Sequence, residues 1–175
     1  MMRLTLAAAT GLLFLTACGQ AASPPPPDYA AEHKPAMDAF MAGWNTGGVD
    51  GLDGAVAEDF ERRSPGGMTV SGRDGIKQLM TDMRTSYPDM QVVLDESHHM
   101  KDVSFHLWTF TGTNTGPGAM PPTGNSVRNS GATLLRWRDG KIAAEIVHFD
   151  ALAWQTQLGY TRAPPAGGET EAAAE

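Results

Sequence analysis

The chain has 175 residues, 41% of them hydrophobic and 19% charged, with a formal net charge of -7. That length suits one domain with tails, and the composition suits an ordinary apolar core. The acidic balance, with no basic stripe interleaved with aromatics, argues against a nucleic-acid partner, because phosphate binding needs clustered Lys and Arg.

The chain opens with a basic Arg3 and an apolar run from Leu4 to Leu15. This reads as a secretory leader, too short for a membrane-spanning helix. Leu15-Thr16-Ala17-Cys18 resembles a bacterial lipobox. The resemblance implies a signal peptide over residues 1–17, lipidation of Cys18, and a periplasm-facing place in the cell envelope. Gly19, rather than Asp, follows the cysteine, which in enteric-type sorting implies the outer membrane. The alternative is a soluble secreted protein with a spare thiol. Cys18 is the sole cysteine, so no intrachain disulfide can form. Pro24 to Pro27 makes residues 18–28 an extended, semi-rigid tether. Residues 161–175, rich in Ala, Pro, Gly and Glu, show no apolar period and are expected to be disordered. The folded domain is then residues 29–160.

Within it, Met37, Phe40, Met41 and Trp44 follow the i, i+3, i+4, i+7 stripe of an amphipathic helix, ended by Thr46-Gly47-Gly48. Val49 to Ala57 reads as a short second helix and Phe60 to Arg63 as a short strand, stopped by Ser64-Pro65-Gly66-Gly67. Arg73 to Tyr87 carries Ile76, Leu79, Met80 and Met83 at helical spacing, closed by Pro88. The period then changes. Met90 to Met100, Val103 to Thr115, Ser126 to Arg138 and Lys141 to Asp150 read as strands, and Asp139-Gly140 is a strong hairpin signal. Ala151 to Leu158 reads as a terminal helical turn. Helices ahead of an antiparallel meander imply an α+β fold with helices on one sheet face. Such a sheet can curl into a cone whose open end is a natural small-molecule pocket.

Four segments carry a family resemblance: Ser71 to Lys77; Tyr87-Pro88-Asp89-Met90; the Thr/Gly stretch Trp108 to Gly116 with Pro121-Pro122-Thr123-Gly124; and Arg138 to Ile142, running on to Asp150 and Gln157-Leu158-Gly159. In this order and spacing the chain resembles the SnoaL-like polyketide (ester) cyclase family of the nuclear transport factor 2-like superfamily. The resemblance implies a curved antiparallel sheet forming a cone, wrapped by N-terminal helices and often dimeric through the sheet. It also implies an acid/base aspartate late in the last strand, where Asp150 stands. This chain has Asn114, Leu107 and Arg63 where the family usually or often has His, Arg and His.

Asp150 and His148 lie two apart on one strand and so share a face, with Ile146, while Glu145, Val147 and Phe149 take the other. Asp150 is the candidate base for removing a proton beside a carbonyl, with His148 orienting it or stabilising the enolate. Alternatively Asp150 caps the helix beginning at Ala151, and His148 is a satisfied core or rim side chain. Asn114 can offer a donor and an acceptor to a ligand or satisfy its own turn. Arg63 either grips a ligand carboxylate or pairs with Glu61 or Asp59. Phe40, Trp44 and Trp108 line the cavity or fill it. His98 and His99 point to opposite sheet faces and cannot easily share an ion, so no metal is expected, and no cofactor. The expected partner is a small apolar carbonyl-type ligand. It is either turned over by a cyclase or isomerase or carried without turnover. A third reading is a protein-interaction module using the outer sheet face.

Overall fold

A computed structural model describes residues 26–119 and 121–161 of the chain. The leader, Cys18, most of the tether and nearly all of the C-terminal tail lie outside the described residues.

Helix α1 spans Tyr29–Thr46. Asp28 starts it, its Oδ1 accepting from Ala31 N at 3.1 Å, and Gly47 ends it at a φ of 75°, a left-handed conformation that glycine adopts without a Cβ penalty. The stretch read as one second helix is a 3₁₀ turn, Val49–Gly51, and a four-residue helix α2, Leu52–Ala55. Strand β1 therefore begins earlier than its apolar pattern suggested and covers Val56–Arg63. A short strand β2, Thr69–Ser71, follows and feeds α3, Gly72–Ser86. The meander is β3 Gln91–His99, β4 Val103–Thr113, β5 Ser126–Arg138 and β6 Lys141–Phe149, and α4, Ala151–Gln157, closes the domain. Asp139 and Gly140 both hold positive φ, 53° and 70°, the conformation a two-residue hairpin turn demands.

The six strands lie in the order β2-β1-β6-β5-β4-β3. The α+β class and the curved, unclosed sheet match the expectation. One detail differs: β1 runs parallel to β6, because α3 carries the chain from the β1–β2 edge to the β3 edge and the antiparallel meander then brings β6 back beside β1. Three irregularities interrupt the sheet, the first a shift of register between Val56 and Glu61 where β1 pairs with β6. Asp95 is an extra residue in β3 between Leu94 and Glu96, and Ala143 is an extra residue in β6 between Ile142 and Ala144. A bulge sharpens local twist and exchanges the faces of the residues beyond it. In β6 it puts Ile142 on the same concave side as Glu145, Val147 and Phe149.

Two apolar clusters sit on the concave side. One joins Phe40, Leu52, Phe60, Ile76, Met80 and Ile142; the other joins Tyr87, Met90, Phe110, Val127 and Leu158. Trp44 packs against both. Polar clamps hold α1 and α3 to the sheet edge. Asn45 Oδ1 accepts from Val92 N at 2.7 Å while its Nδ2 donates to Val92 O at 2.9 Å. Arg84 Nη2 donates to Trp44 O at 2.8 Å and to Met90 O at 3.0 Å.

Candidate active site

The concave sheet face, helices α1, α3 and α4 and the turn after β1 (Ser64 to Met68) line an open-mouthed cavity of about 520 Å³. Its wall is largely apolar, built of methionines (Met37, Met41, Met83, Met90) and rings (Phe40, Trp44, Trp108, Phe110, Phe149, Trp154). Unbranched thioethers adapt their shape to an occupant, while the rings give flat contact surfaces.

Into this wall the sheet delivers one ion pair. Arg62 follows the core residue Phe60 by two positions on β1 and so shares its face. Arg62 and Glu145 are direct register partners in the parallel β1–β6 ladder. Arg62 Nε donates to Glu145 Oε2 at 2.8 Å, with the two side chains only 10% and 5% exposed. They are the only Lys, Arg, Asp or Glu side chains lining the cavity among the described residues. The two Arg62 terminal nitrogens and Glu145 Oε1 have no hydrogen-bond partner among the described residues, and both residues line the hollow. Burial pushes the Glu145 carboxyl above its ordinary range, and the Arg62 guanidinium works against that shift. The result is a carboxyl held beside a guanidinium whose terminal N–H groups carry no hydrogen bond among the described residues.

His106, on β4, also reaches the wall. Its Nε2 bonds Ser104 Oγ at 2.8 Å and its Nδ1 bonds Ser97 Oγ at 2.9 Å. Ser104 Oγ in turn accepts from Trp137 Nε1 at 2.9 Å. Burial, reinforced by neighbouring histidines, lowers the His106 pKa to about 4, so the ring is neutral near pH 7. With both nitrogens occupied by hydroxyls, His106 is a fixed part of the wall. Behind it His33 stacks on Trp137 with ring centroids 3.8 Å apart and approaches His99 with its Nδ1 3.2 Å from that of His99. No group of three or more His, Cys, Asp or Glu able to hold a metal occurs among the described residues.

The sequence-derived candidates divide. Phe40, Trp44 and Trp108 line the hollow. Phe40 and Trp44 meet edge to face at 6.3 Å, and Trp108 Nε1 donates to Thr133 Oγ1 at 2.9 Å. Asn114 also borders it, but its Oδ1 accepts from Thr123 N at 2.9 Å and its Nδ2 donates to Ser86 O at 3.4 Å. Its amide therefore pins the 114–125 loop, the turn role weighed beside ligand contact.

The expectation that Asp150 and His148 look into the hollow is corrected. Both are exposed, and neither lines the cavity. The Asp150 carboxylate accepts from Ala153 N at 2.8 Å and so caps α4. The Ala143 bulge turns the opposite face of β6 inward, with Glu145 on it. Arg63 is corrected likewise: it is exposed and lies 3.6 Å from Glu61, the surface pairing weighed beside the ligand role. Its neighbour Arg62 points inward in its place. The signal for Arg62 was available in its two-residue offset from Phe60. Glu145 had only the grouping with Val147 and Phe149, which did not say which face was inside.

With this geometry in hand, comparisons fix the class. The family model for SnoaL-like polyketide cyclase matches residues 34–158, and the chain belongs to that family. Among solved structures, one described as a SnoaL-like polyketide cyclase from Jannaschia sp. CCS1 superposes with a TM-score of 0.70 at 19% identity, covering 80% of this chain and all of that one. TsrD from Streptomyces laurentii gives 0.66 at 24% identity, covering 74% and 96%. One described as a polyketide cyclase from Bacillus cereus ATCC 10987 gives 0.62 at 25% identity, covering 74% and 82%. A comparison with curated proteins finds no match.

Proposed function

We propose that this domain performs cofactor-free proton transfer on an apolar carbonyl compound, as an isomerase or cyclase, with Glu145 as the base. The carrying observation is the Arg62–Glu145 pair in the wall of an otherwise apolar 520 Å³ hollow. Glu145 takes the proton from carbon beside the carbonyl, and the electron pair left behind moves onto the carbonyl oxygen. The free Arg62 N–H groups meet that developing enolate, a charge better stabilised in a dry site than in water. Return of the proton to another carbon gives an isomer; attack of the enolate carbon on a second carbonyl gives a ring. A carboxyl of raised pKa suits such a base near neutral pH.

The test is deuterium exchange from D₂O into the α-position of an apolar cyclic ketone such as 2-tetralone. Exchange by the wild-type protein that disappears in Glu145→Gln supports the assignment; equal exchange by both proteins overturns it. A carrier without turnover is the second reading, favoured by the bond that ties Glu145 Oε2 to Arg62 Nε. Absence of exchange together with a small molecule that co-purifies would select it.

The same proposal places the domain on the periplasmic side of the outer membrane, tethered by lipid on Cys18 and the Pro24–Pro27 segment. Incorporation of labelled palmitate, abolished in Cys18→Ala, tests this. It also pairs two copies through the outer sheet face, where Val93, Phe105 and Leu107 are exposed. Sedimentation of a dimer that becomes a monomer in Phe105→Lys is the expected result.

A further inference from the structure

Resting on that reading, we propose that the chamber binds apolar monocarboxylic acids as anions on the free edge of Arg62, with Glu145 taking up one proton. Arg62 and Glu145 neutralise each other, and the rest of the wall carries no formal charge. Arg62 spends its Nε on Glu145, while the terminal nitrogens, which present a planar fork suited to a carboxylate, are unspent on a side chain that lines the hollow. An incoming carboxylate docked there would place two carboxylates beside one guanidinium in an apolar enclosure. Two like charges at that separation cannot both persist, so one carboxyl takes a proton. Glu145 is the one that does so, since the ligand gains the two-pronged contact and Glu145 keeps a single bond to Nε.

The balance is simple. Ligand carboxylate plus one solvent proton plus the Arg62–Glu145 pair gives an Arg62–carboxylate pair beside a neutral Glu145, and the chamber's net charge stays at zero. This arrangement, an anionic oxygen on Arg62 facing a protonated Glu145, is also the one formed when Glu145 has removed a substrate proton. Apolar acids should therefore act as competitive analogues of the enolate state.

The other titratable side chains on the wall are His106 from β4 and Tyr87 after α3. His106 has both nitrogens hydrogen-bonded. Tyr87 accepts from Trp154 Nε1 at 3.0 Å, and burial keeps its phenol protonated above the ordinary range. The α1 and β5 residues that line the hollow carry no titratable group. Glu145 is thus the group available to take the proton.

The experiment is calorimetry of decanoate binding to the purified protein, at pH 7.5 in buffers of different ionisation enthalpy. About one proton should be taken up per decanoate, and affinity should fall about tenfold per pH unit above the Glu145 titration. Methyl decanoate, which has the ester of an acylated lipid and no charge, should bind more weakly and exchange no proton. Glu145→Gln should still bind decanoate, with no proton uptake and no pH dependence in this range. Decanoate binding without proton uptake, equal binding of the methyl ester, or no binding of decanoate overturns the inference. Proton-linked decanoate binding in a protein that exchanges no ketone protons keeps this inference while removing the enzymatic reading. Ketone exchange without proton-linked binding removes this inference alone.

Discussion

Arg62 and Glu145 are direct neighbours across two parallel strands, and Arg62 Nε reaches Glu145 Oε2 at 2.8 Å inside an apolar enclosure. The two residues are 83 positions apart in the chain. A buried pair of this kind adds little net stability, since the lost hydration of two charges offsets their attraction. Removing one partner is different, because it strands the other charge. Arg62→Met or Glu145→Leu alone should lower unfolding stability by about 3 kcal/mol. The double variant should regain most or all of that loss. Urea titrations of the four proteins check the prediction, and it fails if the two losses simply add.

A second prediction concerns acid. Native His106, hidden from solvent, titrates at about 4, whereas a free histidine titrates at about 6.5. Between those values the unfolded chain holds more protons than the native one, so stability rises with pH across this window and is complete above its upper end. The contribution lost on going down to pH 4 is about 3 kcal/mol. Lowered His99 acts in the same direction. Glu145, raised by burial, acts in the opposite one. The clean readout is therefore a difference: urea stability of wild type should fall more steeply than that of His106→Asn between pH 7 and 4.5. Parallel slopes would contradict it.

Trp108 and Gly131 give a steric prediction. They are register partners on β4 and β5, and the Trp108 ring lies across the glycine. A Cβ at position 131 would stand 2.3 Å from Trp108 Cζ2 and 2.7 Å from His148 O. Gly131→Ala must displace the indole and break its bond to Thr133, at a cost of about 1–3 kcal/mol. The displaced ring moves into the hollow, so tryptophan emission should shift and decanoate binding should weaken. Unchanged emission with full binding would contradict the placement.

Asp150 provides the contrast. As the N-cap of α4 it should matter for stability alone. Asp150→Ala should cost about 1 kcal/mol, and Asp150→Asn a few tenths, since Asn caps nearly as well. Neither should change ketone exchange beyond what a loosened Trp154 on α4 produces. A loss of exchange in Asp150→Asn with normal stability would return the catalytic role to this residue.

The architecture was largely legible in the sequence. The stripe from Met37 to Trp44 and the Asp139-Gly140 turn are strong periodic and turn signals, and the structure places both where expected. Strand β2 was not legible, since three residues after a Pro-Gly-Gly turn carry no period. Half of the site was legible too. Aromatics such as Trp44 and Trp108 were readable as wall, and Arg62 was readable from Phe60. The side of β6 was not. Lys141 to Phe149 mixes Ile142 and Ile146 with Val147 and Phe149, so apolar residues occupy both faces. Alternation alone then cannot choose between them, and the choice rests on one unpaired residue, Ala143, whose presence shows only once β5 is aligned beside it.

That extra alanine has an evolutionary consequence. Beyond it, every side chain of β6 is carried to the side opposite the one an uninterrupted ladder would give. Pairing Ala143 into a regular ladder would carry Ile146 inward in place of the acid, whereas losing it outright would leave Ile142 and Glu145 on one face, as they are now. The side on which the acid lies is therefore a property of strand pairing as much as of residue identity, and a position-by-position tally of substitutions would overlook a change in it.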